Sequence, residues 1–195
     1  MSKIKDHIEF IYQFFNKPSL VGAIMPSSKF LARNIVNFIN FKRKNLVIIE
    51  YGPGTGPFTS EIVKKLKDGD KLFLIEQNKK FIENLVQKYN RYQQLTIIEG
   101  SVSNVKTILE ENKIKQVDYI VSGIPFSSIP KEVTLDIMEN TQSIMNNQSL
   151  FITFQYSTLK LKLFKRYFEI VSKKFILRNV PSAYIICMKK FNLKK

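Results

Sequence analysis

Three closely spaced glycines follow a short apolar segment in the stretch VIIEYGPGTGPFTSEIV, residues 47–63. Gly52, Gly54 and Gly56 allow the backbone to turn tightly and to approach a ligand closely. A dinucleotide fingerprint counted from Gly52 requires glycine where Pro57 stands, and a phosphate-binding loop requires a lysine that is absent here. Pro57 suits the first position of a helix, but it also removes a backbone N–H from the helix start, where a pyrophosphate would bind. The turn therefore favours a ligand without phosphate groups.

Two acidic residues beside this turn narrow the ligand further. Glu50, two residues before the first glycine, adds a negative charge that repels phosphate and attracts a cation. Glu76 ends the next apolar segment, and its carboxylate can accept hydrogen bonds from both hydroxyls of a ribose. S-adenosylmethionine fits, because it carries a sulfonium, an ammonium and a ribose but no phosphate. NAD also carries a ribose diol, so Glu76 alone does not discriminate between them.

The segments around these residues predict an open α/β sheet of seven strands. Five near-continuous apolar runs are typical of parallel strands that are covered on both faces, and helix-like segments separate them. Two further strands, joined by a short turn, predict a C-terminal antiparallel hairpin. The predicted strands are 46–52, 71–77, 95–101, 117–123, 149–157, about 167–178 and 182–190. Ligands of such sheets bind at the carboxyl ends of the strands, where the strand order reverses, and the glycine turn belongs there.

Length and composition indicate one domain in a reducing compartment. The 195 residues divide into predicted N-terminal helices over 1–44 and a Rossmann-like core over 45–195. No apolar run approaches the ~18–20 residues that cross a bilayer, and the N-terminus does not read as a signal peptide. A single cysteine, Cys187, and a single histidine make an internal disulfide impossible and a zinc site improbable, so no metal is expected.

The charge predicts an anionic partner. Lysine and arginine total 31 against 16 acidic residues, a formal net charge of +15. A nucleic acid and an acidic membrane surface both fit this charge. Near the N-terminus, Ile4, Ile8, Ile11 and Phe15 share one helix face with Tyr12. This face either packs against the domain or enters a membrane interface.

The pattern E-x-G-x-G-x-G, followed by an acid after the second strand, resembles class I S-adenosylmethionine-dependent methyltransferases over nearly the whole chain. The resemblance implies that the residues after the third strand flank the adenine, although many members have aspartate where this chain has Ser101. The implied cofactor-binding residues are Pro26, Ser27, Glu50, Tyr51, Gly52, Gly54, Gly56, Phe58, Glu76, Gln77, Gly100, Ser101, Val102 and Ser122.

The stretch VSGIPFSSIP, residues 121–130, is the candidate acceptor site. Methyl transfer is an in-line displacement, so an enzyme mainly orients the nucleophile against the methyl group. The backbone carbonyls of Gly123 and Ile124 can accept amine N–H bonds, with Pro125 stiffening the turn. Phe126 can contact the developing ammonium through a cation–π interaction of about 0.5–2 kcal/mol. The alternative is a proline-containing loop that only leads into a helix.

Two families share this shape, and they differ in the methyl acceptor. Ribosomal RNA adenine dimethylases carry Asn/Asp-x-Pro-Tyr/Phe here, and their first side chain bonds the adenine amino group; Gly123 removes that side chain. They also carry a helical RNA-binding domain after the sheet, which we do not expect here. The segments VGAIMPSS (21–28), GPGTGPFT (52–59) and SGIPFSSIP (122–130) resemble bacterial phospholipid N-methyltransferases of the phosphatidylethanolamine-methylating kind more closely.

This second resemblance implies a cytoplasmic monomer, peripheral to the inner face of the cell membrane, that methylates the amine of phosphatidylethanolamine or a related lipid. Residues around Gly22, Pro26 and Ser27 would close over the cofactor. The amphipathic N-terminal helix would meet the membrane, with Tyr12 a candidate catalytic residue. Anionic lipid would contact basic residues such as Lys160, Lys162, Lys165 and Arg166. No general base is evident, and His7, Tyr12, Tyr156 and water stay open. The alternatives are an RNA adenine N-methyltransferase and a non-catalytic domain that binds the cofactor or a membrane.

Overall fold

The computed structural model describes residues 29–179 and 181–191, without the side chain of Ser128. Its centre is a seven-stranded sheet in the order β3-β2-β1-β4-β5-β7-β6. The strands are β1 (Val47–Tyr51), β2 (Lys71–Glu76), β3 (Leu95–Glu99), β4 (Tyr119–Ser122), β5 (Leu150–Gln155), β6 (Phe168–Ile176) and β7 (Ala183–Lys190). Strands β1 to β5 are parallel, and β7 is antiparallel to both β5 and β6. The predicted mostly parallel sheet with a C-terminal antiparallel hairpin is confirmed.

Helices cover both faces of the sheet. In the described residues they are α1 (29–36), α2 (Pro57–Ile62), α3 (Lys79–Tyr89), α4 (Val105–Glu111), α5 (Lys131–Ile144) and α6 (Leu161–Phe164). Neighbouring strand residues enter different apolar clusters: Ile48 packs in one and Ile49 in the other, and both are fully buried. Because successive side chains of a strand point to opposite faces, two covered faces require nearly continuous apolar strands. This is the pattern that the sequence shows.

Strand β1 lies between β2 and β4, so the strand order reverses at this point. In the sheet register, Tyr51 at the end of β1 lies opposite Ile75 of β2 and Ser122 of β4. The glycine turn after β1 and the turn after β4 therefore leave the sheet side by side. This is the topological switch point at which open α/β sheets bind ligands.

The helix ends show why the sequence folds in this way locally. Asn78 is the N-cap of α3, and its side-chain oxygen accepts hydrogen bonds from the backbone N–H groups of Lys80 (3.0 Å) and Phe81 (3.3 Å), as predicted.

Helix α1 contacts the sheet through Asn34, which accepts a hydrogen bond from Lys174 Nζ of β6 at 2.8 Å. Of the N-terminal helices predicted over 1–44, α1 is described, whereas the helix predicted to carry Ile4 and Phe15 lies outside the described residues. Within the described part of the chain, no helix has the length and apolar character to cross a membrane.

Candidate functional site

The glycine turn has the backbone conformation that requires glycine. Gly52, Gly54 and Gly56 have φ values of 59°, 56° and 78°, in the left-handed region that side chains disfavour. Gly56 is the N-cap of α2, and Pro57 is its first residue. Gly54 is itself buried, yet a Cβ built on it would have no atom within 4 Å. Open space therefore adjoins the middle of the turn.

Glu76, at the end of β2, holds this turn in place. Its Oε2 accepts a hydrogen bond from Gly54 N at 3.1 Å, and its Oε1 accepts bonds from Gln77 N at 2.9 Å and Asn78 N at 3.0 Å. A carboxylate offers about four lone-pair sites, and three are used here. At most about one ribose hydroxyl can therefore bond to Glu76 without displacing a backbone amide. The predicted acceptance of both ribose hydroxyls by Glu76 stays a prediction.

Glu50 lies behind the turn and is fully enclosed, with 0 % of its surface exposed. Its Oε2 accepts a hydrogen bond from Thr59 Oγ1 of α2 at 2.8 Å, while its Oε1 has no partner among the described residues. Burial raises the pKa of Glu50 to about 8, against an opposing effect of the hydrogen bonds from Thr59. Glu50 is therefore mostly protonated at pH 7. Glu50 presents no exposed surface to a cation in this conformation, so its predicted attraction of a cation stays a prediction. Thr59 is a partner of Glu50 that the sequence analysis missed.

The end of β3 supplies the position predicted to face the adenine. Gly100 N donates to the Glu76 carbonyl at 2.9 Å, which ties this strand end to β2. Ser101 Oγ accepts a hydrogen bond from Ser103 N at 3.3 Å and so caps a short 3-10 turn. Its hydroxyl hydrogen can still donate, because Ser101 is only partly buried. Val102 is buried and Gln77 is exposed, so Gln77 is the more accessible of these two predicted residues.

The turn after β4 packs backbone to backbone against the glycine turn. Gly123 N donates to the Tyr51 carbonyl at 2.9 Å, and a Cβ built on Gly123 would lie 2.6 Å from the Gly52 oxygen. The Ile124 side chain covers Gly52, with Cγ1 3.2 Å from the position of a Gly52 Cβ. Fully buried Ser122 accepts a bond from Ile124 N at 3.2 Å. No side chain fits at position 123 unless one of the two backbones moves.

Phe126 belongs to the core rather than to the acceptor site. It is 0 % exposed, and its ring makes edge contacts with Phe164 (5.5 Å between centroids) and Phe151 (6.4 Å). A ring with no accessible surface cannot contact an incoming ammonium. The predicted cation–π role of Phe126 is therefore wrong, and its ring instead anchors the turn on which buried Pro125 lies.

Two residues from the predicted cofactor set also have buried side chains. The ring of Tyr51 is fully enclosed, and its hydroxyl accepts a bond from Thr141 Oγ1 at 3.3 Å. Phe58 is 4 % exposed and packs edge-on against Phe154, with ring centroids 5.9 Å apart. Burial in a strand and in a helix leaves only the backbone of these residues for a ligand. The place of Tyr51 and Phe58 in the cofactor-binding set stays a prediction, which depends on their main-chain atoms.

Four of the remaining predicted residues are not described by the structure, and Tyr156 is less suited to act as a base. His7, Tyr12, Pro26 and Ser27 lie outside the described residues. Burial raises the pKa of the Tyr156 phenol, which makes it a poorer general base.

Tyr89 of α3 is a further residue that the sequence analysis missed. It donates its hydroxyl hydrogen to the Gly56 carbonyl at 3.2 Å. The amphipathic pattern of α3 places Tyr89 on the buried face, but its reach to the turn depends on the packing of α3 against α2.

Comparison with known proteins identifies the family. The family model described as ribosomal RNA adenine dimethylase matches residues 25–167. The chain belongs to this family. Members of the ribosomal RNA adenine dimethylase family are S-adenosylmethionine-dependent methyltransferases, so the chain is an enzyme of this class and S-adenosylmethionine is its cofactor.

The names of two similar proteins refer to different methyl acceptors, a lipid and a ribosomal RNA. The ornithine lipid N-methyltransferase of Singulisphaera acidiphila is 29% identical over 182 residues, which cover 92% of this chain and 94% of that protein. Ribosomal RNA small subunit methyltransferase A of Mycoplasma capricolum is 28% identical over 191 residues, covering 82% of this chain and 67% of that protein.

Solved structures at lower identity share the fold. TrmN from Thermus thermophilus aligns with a TM-score of 0.70 at 12% identity, over 87% of this chain and 51% of its own. The N-methyltransferase NodS from Bradyrhizobium japonicum aligns with a TM-score of 0.69 at 10% identity, over 86% of this chain and 98% of its own. The predicted Rossmann-like methyltransferase fold is confirmed.

The site of this adenine dimethylase-family chain fits S-adenosylmethionine. The turn offers open space beside Gly54, and Pro57 removes an N–H that a phosphate would need. Glu76 keeps about one acceptor site beside the turn, and Ser101 keeps a donor. The backbone of the glycine turn, Glu76 and Ser101 would hold the cofactor, which supplies an electrophilic methyl group on its sulfonium.

Proposed function

We propose that this enzyme methylates the amine of a membrane lipid, phosphatidylethanolamine or a related amine-bearing lipid. It would do so as a monomer at the inner face of the cell membrane. The observation that carries this proposal is the contact between Gly123 and Gly52. In the adenine dimethylases, the Asn/Asp side chain at this position bonds the adenine amino group. Here a Cβ alone would lie 2.6 Å from the Gly52 oxygen, so the adenine-binding group is absent and has no space.

The comparison with the lipid-modifying relative supports this acceptor. The ornithine lipid N-methyltransferase aligns over nearly the full length of both chains. Ornithine and ethanolamine headgroups each present a primary amine on a short aliphatic stem. A site that orients such an amine needs backbone acceptors and space rather than a base-specific side chain. The carbonyls of Gly123 and Ile124 at the end of β4 are the proposed acceptors of the amine N–H groups.

Orientation would contribute most of the catalysis. The site would hold the amine in line with the methyl group that the cofactor supplies, and such a near-attack geometry would remove much of the entropic barrier. The amine must first lose its extra proton. Water is the simplest acceptor for that proton, because burial disfavours the ionised form of Tyr156.

A second candidate is N-methylation of adenine in RNA. The family model is named for that reaction, and the net charge of +15 would also suit a polyanionic RNA. Because Gly123 has no side chain to bind the adenine, this candidate requires the turn after β4 to open so that other groups can bind it. The acceptor assay below decides between the two candidates.

The test is transfer of labelled methyl from S-adenosylmethionine by the purified protein. Parallel reactions contain vesicles with phosphatidylethanolamine, vesicles with ornithine lipid, and unmodified ribosomal RNA. A Glu76→Ala variant, which loses the group that orders the glycine turn, serves as the inactive control. We expect label in lipid only. Label in RNA only would refute the lipid acceptor, and cofactor binding without label in any pool would refute both proposed acceptors.

A further inference from the structure

Positive charge is concentrated in the C-terminal part of the sheet. Residues 156–191 contain nine lysines and arginines and a single acidic residue, Glu169. This segment therefore carries +8 of the net charge of +15. The basic residues are Lys160, Lys162, Lys165, Arg166, Lys173, Lys174, Arg178, Lys189 and Lys190.

The topology brings two parts of this segment to the edge of the sheet that holds the candidate site. Strand β7 is antiparallel to both β5 and β6, so β5 and β6 run in the same direction. Gln155 at the end of β5 pairs with Tyr184, and Ile176 at the end of β6 pairs with Ala183. The residues that follow β5 and β6 therefore leave the sheet at the same edge as Gly123 after β4.

Two leucines at this edge are unusually exposed. Leu159, four residues after β5, is 84 % exposed, and Leu177, directly after β6, is 77 % exposed. They are the most exposed large apolar side chains of the described residues. Lys160 and the exposed Arg178 are next to these leucines in the sequence, and neither forms an ion pair within the described residues. We call Leu159, Lys160, Leu177 and Arg178 the basic rim.

We propose that the basic rim docks on an anionic lipid bilayer. The two leucines would enter the interface, while the cations would meet anionic headgroups at about 1 kcal/mol per well-placed charge. This arrangement would face the carboxyl edge of the sheet, with its turn after β4, toward the lipid. The inference deepens the proposed function, because it names the surface that presents the site to a membrane-bound acceptor.

The rim replaces part of the basic set predicted from the sequence. Lys165 and Arg166 follow α6 and lead into Phe168, which pairs with Lys190 at the opposite edge of the sheet. Arg166 would therefore not contact a flat bilayer that touches Leu159 and Leu177. An RNA would also be attracted to the cations of the rim, but two aliphatic tips would add little to its binding.

The test is co-sedimentation of the protein with vesicles of phosphatidylglycerol and phosphatidylethanolamine in equal parts. The variant Leu159→Asn/Leu177→Asn should bind about tenfold more weakly, which corresponds to about 1.4 kcal/mol. The matched control is Val86→Asn, because Val86 of α3 is 48 % exposed and lies on the β2–β3 side of the sheet. Thermal unfolding of each variant checks that the fold is intact.

A second pair of variants tests the charges. Lys160→Gln/Arg178→Gln should weaken vesicle binding about fivefold per charge at low salt, and the difference should shrink as salt is added. Lys80→Gln/Lys106→Gln, at two exposed positions on α3 and α4, is the control. Equal binding by rim and control variants would overturn the inference. Vesicle binding that depends on the rim charges but is unchanged by the leucine substitutions would also overturn it.

The outcome is separable from that of the proposed function. If the wild type methylates lipid and the rim substitutions leave vesicle binding unchanged, the docking role of the rim is refuted and the lipid acceptor is supported. Rim-dependent vesicle binding without lipid methylation would support the rim and refute the proposed reaction.

Discussion

Replacing Gly123 by alanine should destabilise the protein, because the added methyl group would meet backbone rather than a movable side chain. The new Cβ would lie 2.6 Å from the Gly52 oxygen. Gly123 has an ordinary φ, so the penalty comes from this contact alone. Overpacking costs about 1–3 kcal/mol, and weakening the bond from Gly123 N to the Tyr51 carbonyl costs about 1 kcal/mol more. Alanine recovers about 0.4–1 kcal/mol through the unfolded state.

We therefore expect the free energy of unfolding to fall by about 1–3.6 kcal/mol, or roughly 2–14 °C in Tm for a chain of this size. Thermal and urea unfolding measure it. Gly100→Ala is the matched control: Gly100 also follows a strand and also has an ordinary φ. Its Cβ would meet only the end of the Ile108 side chain, Cδ1, at 2.9 Å. Equal stability of the two variants would show that position 123 has room for a side chain, and the argument against an adenine acceptor would fail.

Two further predictions concern buried groups of the site. Burial raises the pKa of Glu50 from 4.5 to about 8, beside Glu76 and Lys88, so the stability due to the protonated group is lost as pH rises from about 4.5 to about 8. Glu50→Gln should lack this loss and gain stability over the wild type between pH 5 and pH 9 in urea unfolding; parallel pH profiles would contradict the burial effect. Phe126→Leu should lower Tm but leave the KM for the amine acceptor within about twofold, because the ring is enclosed. A KM increase of tenfold or more in steady-state assays would restore a cation–π contact of about 1.4 kcal/mol.

The strand pattern and the glycine turn were predictable because they depend on local sequence. Near-continuous apolar runs require two covered faces, Asn78 is a local cap, and only glycine accepts the φ values of the turn. The errors all involve long-range packing. Whether Phe126 faces a ligand or the core depends on Phe164, which is 38 positions away in the sequence.

The roles of the two carboxylates were also beyond the sequence. Glu76 and Glu50 each follow an apolar run and look alike as strand-end acids. The first binds backbone amides of the turn, while the second bonds Thr59 under α2 and loses its charge through burial. Both side chains lie on the same face of the sheet, because Glu50 pairs with Leu74, two residues before Glu76 in β2. The difference arises from how closely the next helix covers each carboxyl group.

The position of β7 has a consequence for how the chain folds. It is the last strand in the sequence, yet it lies between β5 and β6, where Phe151 pairs with Met188. Until the final segment has been synthesised, one side of β5 and one side of β6 lack their hydrogen-bonding partner. Unpaired strand sides promote aggregation, and contacts between distant parts of a chain form slowly. Completion of the sheet, rather than formation of the glycine turn, should therefore be the step at which a nascent chain is most vulnerable.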